Sequence, residues 1–174
     1  TAPYAGLVLL SSEHGLIVWT PLVLLSLCGL ILLAIRNREE GSGLSRMSHV
    51  TLGLLLMAVT QVYVTGSLSS WASAGAFGQR RFVGATVILV IGLAAFLKFV
   101  NSGWKRQALG CLIGLCIWWN IGLMVQFGSG MMDRQKIELQ RNAYNSFVRL
   151  PQELPSLACR YFFNRHSFYE PHNE

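Results

Sequence analysis

The chain has 174 residues, of which 52% are hydrophobic and only 13% are charged, and its formal net charge is +6. Soluble domains carry about 25% charged residues, so this composition argues against an ordinary soluble protein and indicates that lipid is the solvent. The basic balance of so apolar a chain suits anionic lipid head groups or phosphorylated lipid carriers, and we do not expect nucleic acid as a partner.

Long apolar stretches separate the clusters of charge and predict four transmembrane helices. Each stretch has about 20 residues, which at about 1.5 Å per residue crosses a hydrocarbon core of about 30 Å. The predicted spans are residues 15–35, 47–66, 82–100 and 108–127. Pro21 falls in the first turns of the first span, where proline is tolerated. We therefore predict an all-α integral membrane module over residues 1–128.

The loops between the predicted spans differ in charge. Residues 36–46 and 98–106 are rich in Arg and Lys and fall on the same side of the membrane. Short basic loops stay in the cytoplasm, so we assign that side to the cytoplasm. The amino terminus, residues 67–81 and the carboxy-terminal tail are then extracytoplasmic, although the tail is itself basic.

Residues 129–174 form the tail, and their pattern differs from that of the apolar module. Apolar and charged side chains mix over residues 131–150, which predicts an amphipathic helix on the membrane surface. We expect Pro151 and Pro155 to interrupt this helix. Aromatic and basic residues then interleave over residues 160–172, as is typical of a segment at the level of the head groups.

The strongest polar signal is the pair Arg80 and Arg81, which follows a glycine-rich turn and directly precedes the third span. Guanidinium groups bind phosphate oxygens bidentately, glycines let backbone amides approach, and a helix N-terminus favours an anion. We predict that Gln79, Arg80 and Arg81 contact a lipid phosphate. The alternative is that both arginines anchor the helix end among ordinary phospholipid head groups.

His14 and His49 stand near the ends of the first two predicted spans. Imidazole can bind a metal or a pigment or relay a proton, but an interfacial position explains a partly polar ring without any ligand. The four cysteines contain no CxxC pair, and we predict neither a zinc site nor a disulfide framework. No catalytic residue and no metal ligand is predicted in this chain.

Uncharged polar and small residues inside the spans are expected to join helices. Gln61, Asn120 and Gln126 should find hydrogen-bond partners on neighbouring helices. Gly110 and Gly114 form a small-xxx-small pattern, which can let two helix backbones approach closely on that face but also occurs by chance in apolar helices.

Several segments resemble one family of membrane enzymes. The segments are residues 14–21 (HGLIVWTP), 77–83 (FGQRRFV), 118–127 (WWNIGLMVQF), 132–135 (MDRQ) and 160–169 (RYFFNRHSFY). In this order they resemble the carboxy-terminal part of bacterial multi-pass proteins of the GT-C glycosyltransferase superfamily, and the likeness covers most of the chain.

The resemblance implies an enzyme of the bacterial inner membrane that transfers a sugar from a polyprenyl-phosphate carrier to an extracytoplasmic acceptor. The lipid-linked sugar is then the donor, and Arg80 and Arg81 contact the carrier phosphate. In that superfamily the acidic catalytic residue lies in an amino-terminal half with no counterpart among these residues. We therefore do not expect this chain to catalyse transfer by itself, and a separate amino-terminal half is one expected partner.

A second hypothesis makes the chain a noncatalytic accessory subunit of a larger membrane complex, for example a respiratory or photosynthetic one. Its polar and small intramembrane residues would then contact other membrane subunits. His14 or His49 would approach pigments or other cofactors held by the host complex, since no cofactor is indicated for the chain itself.

Overall fold

The structure, a computed structural model, describes residues 3–39, 46–72, 76–100 and 103–163, and all secondary structure in these ranges is helical. The described ranges contain eight α-helices in the order α1 (Ala5–Leu10), α2 (Leu16–Trp19), α3 (Leu22–Glu39), α4 (Arg46–Gly66), α5 (Thr86–Phe99), α6 (Gly103–Ser129), α7 (Leu139–Tyr144) and α8 (Leu150–Phe163). A 3-10 helix, Arg80–Ala85, opens α5, and a π-helical segment, Asn145–Arg149, joins α7 to α8.

Three helical segments of the described chain are long and apolar enough to cross a membrane. They are His49–Gly66 within α4, Arg80–Phe99 including its opening 3-10 helix, and Gly103–Ser129. These three match the predicted spans 47–66, 82–100 and 108–127. The prediction of a fourth such helix over residues 15–35 is wrong, because the apolar helix there is only Leu22–Arg36.

The first predicted span is broken at Thr20 and Pro21. Thr20 adopts φ −135° and ψ 79°, well outside the helical region. A proline disfavours the helical conformation of the residue before it and supplies no N–H of its own. Helix α2 therefore ends at Trp19, and α3 starts afresh at Leu22. Pro21 ends a helix here, where the sequence suggested that it would be tolerated inside one.

The tightest helix crossing joins α3 to α5. A Cβ added at Gly29 would overlap the Gly92 carbonyl oxygen, and one added at Gly92 would overlap the Ser26 carbonyl oxygen. Further along both helices, the Arg36 guanidinium lies 5.5 Å from the centroid of the Phe99 ring. Because residue numbers rise in step along this contact, α3 and α5 run parallel.

Gly110 and Gly114 make no close helix crossing with the described residues. A Cβ added at either glycine would meet nothing within 4 Å. Helix α6 instead buries Leu109, Cys116 and Leu123 on a different face. A small-residue pattern shows where a backbone is accessible, but it does not specify which helix packs there.

The bundle has two ends of different character. The loop end comprises residues 3–21, 66–72, 76–82 and 129–138, and backbone hydrogen bonds tie its segments together. Tyr4 donates to the Gly66 carbonyl at 3.2 Å, and Ile137 donates to the Ser12 carbonyl at 2.8 Å. The basic end lies where α3 and α5 finish and α4 and α6 begin. The described residues before α2, those of the 67–81 loop and those at the start of the tail thus share one end of the bundle.

The tail forms one helical rod that passes through both prolines, and the predicted interruption at Pro151 and Pro155 is wrong. The rod begins at Leu139, and Pro155 lies inside α8. The π-helical segment lies directly before Leu150 and Pro151, where the missing proline N–H would leave a gap in the regular α-helical hydrogen bonds. The rest of the predicted head-group segment, beyond Phe163, lies outside the described residues.

Candidate functional site

A fixed turn leads into α5 at the loop end. Gly78 has a φ of +57°, a left-handed conformation that glycine adopts without strain. Next to it, Gln79 is buried, and its side-chain amide donates to the Trp71 carbonyl at 3.1 Å and to the His14 carbonyl at 3.3 Å. Gln79 thus holds together the 67–81 loop and the segment before α2.

Two further side chains hold the residues that follow. Gln61 of α4 donates to the Arg81 carbonyl at 2.8 Å. The Arg81 guanidinium turns back onto the loop, where it donates to the Ser70 carbonyl at 2.8 Å and to the Ser70 hydroxyl at 3.0 Å. The start of α5 is therefore fastened to α4 and to the loop that precedes it.

The structure gives the three predicted phosphate-binding residues different surroundings. Gln79 is buried and engaged with backbone carbonyls, and Arg81 is half-buried and bound to Ser70. Arg80 is exposed and makes no ion pair or hydrogen bond with the part of the chain that the structure describes. Of the three side chains, the guanidinium of Arg80 is best placed to receive an anion from outside.

His14 lies in the interior, next to this turn. Its ring is fully buried and stacks on Trp19 with 5.4 Å between centroids and an interplanar angle of 16°. Neither ring nitrogen makes a hydrogen bond of ordinary geometry. Burial lowers the pKa of His14, while the Gly78 backbone and the Glu13 carboxylate raise it to a smaller extent. The ring is therefore kept neutral, and it packs as an aromatic side chain.

The two predicted cofactor-proximal histidines are not brought together. His49 is exposed near the start of α4, at the basic end, whereas His14 is buried at the loop end. Among the residues in the described ranges, no group of three or more His, Cys, Asp or Glu side chains is arranged to hold a metal ion.

An aromatic row crosses the loop end behind the arginine turn. Trp19 meets Phe77 edge to face at 5.3 Å, and Phe77 meets Phe127 in the same way at 5.5 Å. The Arg134 guanidinium lies 5.6 Å from the centroid of the Phe127 ring. The sequence did not predict this row. Its three aromatic residues come from distant segments, and no pattern in the sequence indicates that the three rings meet.

The helix break at Thr20 is sealed by α6. The break leaves carbonyl groups without the N–H partners that a continuous helix would supply. The Trp119 indole donates to the Val18 carbonyl at 3.1 Å, and the Asn120 amide donates to the Trp19 carbonyl at 3.0 Å. The predicted joining role of Asn120 is confirmed, and that of Gln61 is confirmed by its bond to Arg81.

The tail helix is joined to α6 by a buried polar cluster. The Gln126 amide donates to the Ser146 hydroxyl at 2.8 Å and to the Asn142 carbonyl at 3.2 Å, which confirms its predicted role. The Trp118 indole donates to the Ser146 carbonyl at 3.1 Å. Asn142 bonds Gln126, whereas Ser146, later in the tail, also bonds Trp118, which is earlier in α6. The tail therefore runs antiparallel to α6 from Asn142 to Ser146.

The described residues thus form a helical structure with three candidate membrane spans, an aromatic and hydrogen-bonded loop end, and an exposed arginine at the entrance to α5. Comparison with protein families, with curated proteins and with solved structures finds no match for this chain.

Proposed function

We propose that the chain is a noncatalytic membrane module that binds a polyprenyl-phosphate carrier, as the carboxy-terminal part of a GT-C-like glycosyltransferase that uses lipid-linked sugar donors. The observation that carries the proposal is the exposure of the Arg80 side chain and its lack of a partner among the described residues. Its guanidinium is exposed and without a partner in the described chain, on a turn whose neighbouring residues are all held in place.

The fixed turn makes this arginine a better anion ligand than one on a free loop. Binding through a pre-organised group costs less conformational entropy, because little has to be ordered when the ligand arrives. Gln79 and Arg81 then act mainly as supports, since their polar groups bond the chain itself. A phosphate at Arg80 would also lie at the N-terminal end of a helical segment, Arg80–Phe99, whose dipole favours an anion.

The surroundings of Arg80 suit a lipid carrier. The residue opens a segment of membrane-spanning length and composition, so its side chain lies close to the level at which lipid phosphates are found. Val83, one turn further on, is 72% exposed and offers apolar surface to an isoprenoid chain. Placing this end outside the cytoplasm of a bacterial inner membrane follows from the basic loops at the other end and belongs to the same proposal.

The test is binding of undecaprenyl phosphate to the purified chain, followed by native mass spectrometry, with undecaprenol and phosphatidylglycerol as comparison ligands. We expect undecaprenyl phosphate to bind best. Arg80→Ala should weaken its binding about tenfold or more, as expected for loss of a hydrogen bond between charged groups. Lys136→Ala is the matched control, because Lys136 is an exposed cation at the same end, and it should leave binding unchanged.

Equal binding of phosphatidylglycerol would support the simpler interpretation, in which Arg80 only anchors the helix among ordinary head groups. Unchanged binding in Arg80→Ala would contradict the proposal. It would favour an accessory subunit of a larger membrane complex, for which the open face at Gly110 and Gly114 offers a contact surface.

A further inference from the structure

A groove opens at the basic end, far from the arginine turn, between α6 and the α3–α5 pair. Its volume is about 320 Å³, at the small end of the range of about 300–1,000 Å³ found for ligand sites. Leu25 of α3, Phe96 of α5, and Leu109 and Leu112 of α6 form its apolar walls, and Trp104 and Lys105 stand at its mouth.

The groove has the polarity profile of one lipid molecule. Lys105 lies in the first turn of α6, and Leu112 lies seven residues deeper, which corresponds to about 10 Å along the helix. One leaflet of the hydrocarbon core is about 15 Å thick. The charged mouth therefore falls near the membrane surface, and the apolar walls extend through most of a single leaflet.

The charge at this end favours an anionic occupant. Residues 36–46 and 98–106 together contain six basic and two acidic residues, and no Asp or Glu occurs anywhere in residues 41–132. Lys105, Arg106 and Lys98 are exposed. None of the residues that form the groove carries a carboxylate to neutralise Lys105.

We propose that this groove is a binding site for one anionic phospholipid, whose acyl chain lies between α6 and the α3–α5 pair and whose phosphate contacts Lys105. An apolar groove that faces lipid fills with acyl chain, because lipid chains gain packing contacts there and no polar group opposes them. The lysine at the mouth then selects the head group. Trp104, 72% exposed beside Lys105, occupies the position at which indole rings anchor at the membrane interface. This site is independent of the one proposed at Arg80.

Trp104 also supplies the measurement. The chain is reconstituted in vesicles in which either the phosphatidylglycerol or the phosphatidylcholine carries bromine on its acyl chains. Tryptophan fluorescence is then recorded. The difference between the native chain and Trp104→Phe isolates the signal of Trp104 from that of the other four tryptophans. We expect brominated phosphatidylglycerol to be preferred over brominated phosphatidylcholine beside Trp104 by about fivefold. This preference corresponds to the free energy that one lysine contributes near an anionic surface.

Two pairs of variants separate a site from a diffuse charge effect. Lys105→Ala should abolish the preference, whereas Lys98→Ala should keep it, because Lys98 is exposed at the same end but does not line the groove. Ala108 also lines the groove, so Ala108→Phe places a ring inside it and should abolish the preference as well. Leu115→Phe, at an exposed position of α6 outside the groove, should keep it.

Both groove substitutions are at exposed positions, and circular dichroism establishes that each variant keeps its helices. Equal quenching by the two lipids in the native chain would overturn the proposal. A preference that survives Lys105→Ala and Ala108→Phe, or that disappears equally in Lys98→Ala, would overturn it as well, since the charge of the whole end would then explain the effect.

Discussion

The loop end and the basic end of this bundle use similar apolar residues but are packed differently. At the loop end, Trp19, Leu123, Met132 and Ile137 form a buried cluster, and side-chain amides and indoles bond the carbonyls left open by irregular backbone. At the basic end, α6 stands apart from α3 and α5 and leaves a groove. Irregular backbone requires dense local packing, because its open carbonyl groups need partners, whereas regular helices can separate and leave room for lipid.

The largest effect is expected where α3 crosses α5, since this contact joins the two ends. Gly92→Leu would drive a side chain into the Ser26 carbonyl, which cannot move without displacing α3. We expect this variant to lose the folded bundle. Gly110→Leu is the control, because an added Cβ there meets nothing within 4 Å. Unfolding by a denaturing detergent, followed by circular dichroism, compares the two. Equal stability of both variants would show that the crossing is not a close contact.

A matched pair of leucines on α6 sharpens the contrast between the ends. Leu123 is fully buried in the loop-end cluster, whereas Leu112 lines the groove and is 45% exposed. Leu123→Ala should lower the free energy of unfolding by about 2–5 kcal/mol, as large-to-small changes in packed cores do. Leu112→Ala should cost clearly less, because one side of that leucine already faces open space. The same detergent titration measures both, and a larger loss for Leu112→Ala would reverse the comparison.

A smaller effect concerns pH and His14. Burial lowers the pKa of His14 in the folded chain, so the unfolded chain binds a proton at higher pH than the folded one. The stability that depends on neutral His14 is complete above the ordinary pKa of about 6.5 and is lost as the pH falls below it, by at most about 1.4 kcal/mol per pH unit.

Unfolding titrations at a series of pH values test this expectation. His14→Phe keeps an aromatic ring against Trp19 and should flatten the dependence below the ordinary histidine pKa. His49→Gln, at an exposed position near the start of α4, should leave the slope as it is in the native chain. A slope that persists unchanged in His14→Phe would assign the effect to another group.

Hydropathy alone predicted the three long apolar helices, because residues of one type over about 20 positions have few alternatives in lipid. The break at Thr20 was missed because a proline near a helix start is compatible with either a first turn or a stop. The choice was made by Trp119 and Asn120, a hundred residues away, which stabilise the broken form. No local pattern contains that information.

The candidate site was predicted in part. The sequence places three polar residues side by side, Gln79, Arg80 and Arg81. Nothing in the pattern shows which of them supports the turn and which faces outwards. That distinction depends on the Trp71, His14 and Ser70 oxygens, which become close only when the loops fold together. The role of each glycine could not be predicted for a similar reason. A close crossing depends on two helices, and a sequence motif belongs to only one of them.

The sealing of the helix break by α6 has a consequence for the order in which the chain is made. The Val18 and Trp19 carbonyls leave the ribosome about a hundred residues before the Trp119 and Asn120 side chains that bond them. Until α6 has been inserted, the first segments at the loop end lack these partners, and water or the insertion machinery has to supply them. In a nascent chain halted before α6, these two carbonyl groups would therefore lack their protein partners. Cellular quality control could recognise such a chain by these groups, which the complete protein conceals.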